Sequence, residues 1–286
     1  MELKSYRHIL RNKLLFNWLP PVRPAVYALY KVREDPVVIF GNQKTGTSAI
    51  AALLARATGN DYDIDIAGFR NPEYTRLHAG EVDFRELVEK RARIEFSKGV
   101  VKEPNLTFLQ QQVRDAFPRA RYVFINRSPH ANIRSILNRL DLPGNLPELS
   151  QEQQASMSPI WRAILYNEWV TSVGGGVPNV SQVQSNYVGA AAERWVSAVE
   201  QYLPYAEDTA LVRYEDFNQN KQGTIERLAQ TLGMPVTTDI ADRVDTQYQP
   251  KGKRTTDYLS FFGAENLRII NETTAPYLER FNYVQR

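Results

Sequence analysis

Val37-Val-Ile-Phe-Gly41-Asn-Gln-Lys44-Thr45-Gly46-Thr47-Ser48-Ala-Ile-Ala-Ala-Leu-Leu54 is the stretch that decides the fold. The apolar run from Val37 to Phe40 reads as a strand buried on both faces. It enters a loop containing Gly41, Lys44, Thr45 and Gly46, and Thr47 and Ser48 then open a run rich in Ala and Leu that reads as a helix. A strand, a glycine turn and a helix N-terminus together make an anion site. The first-turn N–H groups lack intrahelical acceptors, the helix dipole is positive there, and glycine lets the backbone approach a ligand.

Outward from this unit, short apolar runs alternate with amphipathic stretches. Asp61-Tyr-Asp63-Ile-Asp65-Ile66 has the period of a half-buried strand. That period predicts Asp61, Asp63 and Asp65 on one face, where mutual repulsion would raise the pKa of one of them. Residues 82–96 read as a helix with Phe84, Leu87, Val88 and Ile94 on its apolar side. Gly99-Val-Val-Lys102-Glu103-Pro104 reads as a strand and 106–117 as a helix. Arg121-Tyr-Val-Phe-Ile-Asn126 is a further strand, leading through Arg127 into a helix at 130–140. Residues 141–158 carry Pro, Gly and Gln and read as irregular. Helices are expected at 159–172, 186–203 and 221–232 and in the tail, with a strand at 210–214 before the third.

This alternation predicts an α/β fold, a single domain with a central parallel sheet and helices on both faces. Ligands of such sheets bind beyond the carboxyl ends of the strands. Lys44, Lys102 with Glu103, and Arg127 are therefore expected to converge on one crevice.

A chain of 286 residues with 43% hydrophobic and 23% charged content has enough apolar material for a sizeable core. The net charge of +3 suits a small anionic ligand and argues against nucleic acid as a partner. Cysteine is absent, which excludes disulfides and thiolate metal sites, and three scattered histidines argue against a His-based metal centre. No apolar run approaches the ~20 residues of a membrane span, and no signal-like apolar segment opens the chain, so a cytoplasmic location is expected. Residues 1–36 read as a basic lead before a domain at 37–286. Leu3, Tyr6, Leu10, Leu14 and Trp18 recur at helical spacing among Lys4, Arg7, Arg11 and Lys13, until Pro20, Pro21 and Pro24 interrupt. Such a lead either packs on its own domain or makes a peripheral membrane contact through residues 1–33.

Gly41 and Gly46 have the separation of the nucleoside-triphosphatase loop, but Lys44 precedes the second glycine instead of following it. No strand ends in an Asp placed to hold Mg²⁺. A P-loop phosphotransferase is accordingly the alternative reading. Lys44-Thr-Gly-Thr-Ser48 after a strand resembles the 5′-phosphosulfate loop of sulfotransferases that use 3′-phosphoadenosine 5′-phosphosulfate (PAPS). Arg127-Ser-Pro-His-Ala-Asn-Ile-Arg-Ser135 resembles the Arg and Ser that grip the 3′-phosphate in that family, and Arg139 resembles an additional phosphate-binding Arg. Leu211-Val-Arg-Tyr214-Glu-Asp-Phe217 resembles the segment whose tyrosine lies near the adenine. Lys251-Gly252-Lys253-Arg254, with Asp257, Tyr258 and Phe262, resembles the basic C-terminal loop over the 3′-phosphate. Pro250 stands there in place of the family's Arg, Tyr258 in place of its Trp, and the second glycine is missing.

The resemblance spans about residues 37–283 and implies a P-loop-like sulfotransferase fold. It implies transfer of a sulfuryl group from PAPS to an acceptor hydroxyl or amine, leaving 3′,5′-ADP, with no metal required. Gly41 and the N–H groups of Thr45, Gly46, Thr47 and Ser48 would cradle the 5′-phosphate. Lys44 would meet the bridging oxygen and Lys102 the sulfonate. Cytosolic members place a histidine base where Pro104 stands, so the resemblance is closer to the carbohydrate, protein-tyrosine and bacterial branches, which use a carboxylate. Asp65 is first choice, because Phe69 matches the aromatic after that base; Asp63 and Glu103 are the other candidates. A non-catalytic nucleotide-binding homologue is the remaining alternative. The acceptor, whether small molecule, carbohydrate or lipid, would face segments 66–80 and 141–184.

Overall fold

Every side chain of β1 (Val37–Phe40) is sealed from solvent, because this strand lies in the middle of the sheet. The computed structural model describes residues 20–69, 72–168, 186–246 and 257–286, so the expected lead helix lies outside the described residues. β2 (Tyr62–Ile64), β3 (Val100–Lys102), β4 (Arg121–Asn126) and β5 (Thr209–Arg213) complete a five-stranded sheet in the order β2-β3-β1-β4-β5. All pairings are parallel, with Val38 opposite Val101 on one side and Tyr122 on the other. The longer helices are α1 (Thr47–Ala57), α2 (Phe84–Arg91), α3 (Pro129–Leu140), α4 (Tyr187–Tyr202), α5 (Lys221–Thr231) and α6 (Tyr258–Leu278), the last broken at Gly263.

Side chains alternate across the sheet and feed two cores, as a strand covered on both faces requires. Val37, Ile39, Val100, Val123 and Ile125 pack with Leu53 and Leu54 of α1 and Ile225 and Leu228 of α5. Val38, Phe40, Val101 and Phe124 pack with Trp195, Val199 and Tyr202 of α4 and with a group of phenylalanines. Phe96 and Phe117 stack at 4.9 Å, and Phe84 meets both edge-on at 6.0 and 6.3 Å. A third cluster joins Ile133, Ile136 and Leu137 of α3 to Val188 of α4 and Ile270 of α6.

The expected elements are present among the described residues, with several differences; the helix expected over 159–172, for one, ends at Leu165 ahead of Asn167 at φ 54°, and residues 169–172 lie outside the described ones. The strand expected over 61–66 is confined to 62–64, because Asp65 turns to φ 58° and leaves the ladder. The helix expected over 82–96 ends at Arg91, with a separate 3₁₀ turn at 95–97. Residues 104–109 form a 3₁₀ stretch before the helix at 110–116. The region expected to be irregular contains a helix at 151–156, started by a reciprocal capping box between Ser150 and Gln153. That helix buries none of its residues, so it leaves no apolar period in the sequence. Residues 23–28 also form a short helix, with Pro24 in its first turn where a missing N–H costs nothing. Its Tyr27 packs on Ile94 and donates to the Arg91 carbonyl at 2.7 Å. No described helix is long and apolar enough to cross a membrane.

The aromatic core gives a direct stability test. Phe96 is fully buried, so Phe96→Ala removes an aromatic ring with no route for solvent to refill the space. Urea denaturation should show a loss of about 3–5 kcal/mol, and a loss below about 1 kcal/mol would contradict the packing described.

Candidate active site

The loop after β1 owes its shape to three positive-φ residues, Gly41 at φ 145°, Lys44 at φ 68° and Gly46 at φ 95°. Gly46 cannot be replaced without a clash, since an added Cβ would lie 2.4 Å from the Tyr214 ring. A Cβ on Gly41 would lie 2.6 Å from the Ile125 carbonyl, so this glycine serves the close approach of β1 to β4. Gly41 N–H donates to Thr107 Oγ1 at 2.8 Å. Thr45 turns inward, with both its N–H and its Oγ1 donating to the Asn42 carbonyl at 3.3 and 2.8 Å. α1 starts at Thr47, which sets the positive end of its dipole at the loop. Thr47 and Ser48 are buried beneath it.

The strand ends bring their cations together, as parallel pairing requires. Lys44 at the end of β1 is more than half buried, and Arg139, Arg127 and Lys102 act on it electrostatically. Burial, then those three charges, lower its ammonium pKa to about 8. Arg127 leaves β4 and donates to the Lys44 carbonyl at 2.9 Å. Its guanidinium stacks 4.5 Å from the Tyr214 ring, so Tyr214 buttresses both the loop and the arginine. Ser135 is half-buried on α3 and Arg139 exposed one turn further on. Arg139 lies 6.0 Å from the ring of Trp161.

Beside Arg127 lies a cavity of about 410 Å³, walled by Ser128, Tyr214, Glu215, Tyr258, Tyr283 and Arg286 among others. Glu215 anchors its rim by accepting from the Ser128 N–H at 3.0 Å and the Tyr283 hydroxyl at 2.9 Å. Arg134 reaches over the Tyr258 ring at 5.0 Å. Arg127 Nε and Arg134 Nη1 are buried donors with no hydrogen-bond acceptor, a donor set that fits a phosphate. Sequence reasoning passed over Arg134, although it adjoins Ser135 in the quoted motif. Lys251, Gly252, Lys253 and Arg254 lie outside the described residues. Asp257 caps α6 at the Leu259 N–H, 3.0 Å away. A larger cavity of about 570 Å³ lies at the opposite end of the sheet, beside Arg114, Arg121 and Thr209. It shares none of these residues.

The expected face of three aspartates does not form. Asp61 lies at the surface, and burial raises its pKa less than the Gly99 N–H and Lys98 lower it, so it stays below the usual carboxylate value. Asp63 is buried, with Oδ1 accepting from the Ile64 N–H at 3.0 Å. Asp65 alone is exposed at the strand end, and its carboxylate meets the buried Lys102 ammonium at 2.6 Å. The strand breaks at Asp65, which is why the period-two reading fails there.

Glu103 is buried, and its two oxygens accept from the Ile66 and Asn105 N–H groups at 2.9 and 3.1 Å. The Tyr74 hydroxyl also faces it. Burial, and then the charge of Asp65, push this carboxyl up to about 7. Glu103 thus clamps the turn that carries Asp65. Phe69 packs wholly in the aromatic core with Tyr74, Phe84 and Phe96. No group of three or more potential His, Asp or Glu metal ligands occurs among the described residues.

No protein-family model and no curated protein matches the chain. Among solved structures, sulfotransferase STF9 from Mycobacterium avium aligns at 12% identity, over 93% of this chain and 81% of its own, with a TM-score of 0.52. Sulfotransferase STF1 from Mycobacterium tuberculosis aligns at 14% identity, over 96% of this chain and 86% of its own, also with a TM-score of 0.52. At such identities the likeness is one of fold: the chain has the fold of these sulfotransferases.

Proposed function

We propose that the protein transfers a sulfuryl group from PAPS to a hydroxyl or amine of a small-molecule, carbohydrate or lipid acceptor. The observation that carries this reading is the convergence of Lys102 of β3, Arg127 after β4 and Arg139 of α3 on Lys44, which sits in the loop that opens α1. PAPS would supply an activated sulfuryl group on a phosphosulfate, whose 5′-phosphate is the leaving group. Arg127, with Arg134 and Ser135 on α3, would hold the 3′-phosphate, and Tyr214 and Tyr258 would flank the nucleoside. The α1 N-terminus and the N–H groups of Gly46, Thr47 and Ser48 would receive the 5′-phosphate. Lys44 would neutralise charge on the bridging oxygen, and Lys102 charge on the sulfonate. Asp65 is the base on this reading, because it is exposed beside Lys102. Asp63 and Glu103 are buried and engaged by backbone N–H groups.

Several measurements bear on the proposal. The melting temperature should rise with 3′,5′-ADP and not with ADP or Mg²⁺-ATP; the opposite preference sinks the PAPS assignment in favour of a phosphotransferase. Arg127→Ala should weaken 3′,5′-ADP at least about tenfold, the loss of a charge-assisted fork. Radiolabelled sulfate should pass from PAPS to a member of an acceptor library, and binding without transfer would identify a non-catalytic homologue.

Lys44 sets the pH dependence. Its folded pKa of about 8 lies below the ordinary 10.5, so the ammonium is charged at pH 7 and lost as pH rises through 8. An anion favours the charged form. Affinity for 3′,5′-ADP should therefore be flat to about pH 7 and fall above about 8, and Lys44→Arg should flatten that fall. A flat wild-type profile to pH 9.5 would remove Lys44 from the anion site. Glu103→Ala strands two buried N–H donors and should cost about 2–4 kcal/mol in urea unfolding. A loss within about 0.5 kcal/mol would show that it clamps nothing.

A further inference from the structure

Beneath the loop lies an arginine for which neither the anion site nor the core accounts. Arg194 of α4 is wholly buried, and no carboxylate among the described residues pairs with it. Its Nε donates to Asn42 Oδ1 and Gln43 Oε1 at 3.2 Å each, Nη1 to Asn167 Oδ1 at 3.3 Å, and Nη2 to Gln43 Oε1 and Asn105 Oδ1 at 3.1 and 3.2 Å. The guanidinium carbon lies over the Phe108 ring, 4.1 Å from its centre. Burial lowers its pKa to about 9. A buried cation held by neutral amide oxygens is costly and invites a reason.

The acceptors supply the reason. Asn42 and Gln43 belong to the loop after β1, Asn105 follows β3, and Asn167 follows the helix at 159–165. The network closes on itself: Gln43 Nε2 donates to Asn105 Oδ1 at 2.7 Å, Asn42 Nδ2 to Asn132 Oδ1 at 3.0 Å, and Asn132 Nδ2 to the Gln43 carbonyl at 2.7 Å. The planar fork of arginine reaches oxygens in several directions at once, which a lysine cannot do. Lys44 follows Gln43 directly, and Asn105 lies three residues beyond Lys102.

We infer that Arg194 is a positioning residue, whose guanidinium sets the Asn42–Gln43 segment against the end of β3 and so aims the Lys44 loop at the 5′-phosphate of the bound nucleotide. This deepens the PAPS reading and rests on it. Arg194 touches no ligand; it acts through Gln43 and Asn42.

The test compares two probes by calorimetry, adenosine 3′-monophosphate and 3′,5′-ADP. The ratio of their dissociation constants isolates the 5′-phosphate. In Arg194→Met that ratio should fall at least tenfold, while affinity for the 3′-monophosphate changes less than threefold. Arg194→Lys should recover only part of the ratio. Gln43→Met, which keeps the arginine and cuts its link to the loop, should reproduce the selective loss even where Arg194→Met fails to fold.

A residue needed only for packing would lower the melting temperature and leave the ratio unchanged, or weaken both probes alike. Either result overturns the inference. Should wild type bind inorganic pyrophosphate but not 3′,5′-ADP, the PAPS reading fails, and the inference then requires pyrophosphate affinity to fall at least tenfold in Gln43→Met. Binding of neither probe by wild type overturns both.

Discussion

Parallel pairing of β1 between β3 and β4 is the constraint on which the site depends. Because the strands run the same way, their carboxyl ends lie along one edge, and whatever follows each strand is delivered there. Lys44 follows β1, Lys102 ends β3 and Arg127 follows β4. No long-range recognition among these residues is needed to bring them together. Hydrogen bonds of the ladder and the burial of alternating faces do it. The same geometry leaves the opposite edge to unrelated residues, such as Arg114 and Thr209 around the larger cavity.

Gathering like charges has an electrostatic cost, and the structure shows how it is distributed. Lys44 bears the clearest part of it, with an ammonium that burial and its neighbours make easier to deprotonate. Lys102 is relieved by Asp65. Glu103, next in sequence, is buried and raised, so its negative charge is weakened at neutral pH and it serves the backbone of the Asp65 turn. Arg127 and Arg134 are partly satisfied by aromatic faces, Tyr214 and Tyr258, which stabilise a guanidinium without neutralising it.

Positive-φ backbone recurs at this end of the sheet. Lys44, Gly46 and Asp65 all adopt positive φ, and each is held from several directions. Asp65 donates its N–H to the Lys102 carbonyl at 3.0 Å, and Glu103 takes the next amide. Gly46 rests against Tyr214. Non-glycine residues in this region of φ are costly and persist only where surroundings determine them. Lys44 and Asp65 thus keep fixed positions relative to Lys102.

Much of this was legible from residue patterns. The Val37–Leu54 unit, the apolar runs at β3 and β4 and the positions of Lys44, Lys102 and Arg127 follow from short-range rules, namely apolar period, glycine turns and helix starts. Those rules act over a few residues, so one sequence carries them. Other features were not legible. Asp61, Asp63 and Asp65 alternate perfectly, yet the strand ends before Asp65 because the β2 ladder stops at Ile64. Nothing in the sequence around Glu193-Arg194 singles out Arg194; it is buried because α4 is enclosed on nearly all sides. That Arg194 lies inside was decided by packing between segments about 150 residues apart, and that Asp65 reaches the crevice by contacts between the ends of β2 and β3, 37 residues apart. Local sequence set the strands, the loop and its cations; only the tertiary structure set their partners, because partners are fixed by burial and burial belongs to the whole fold.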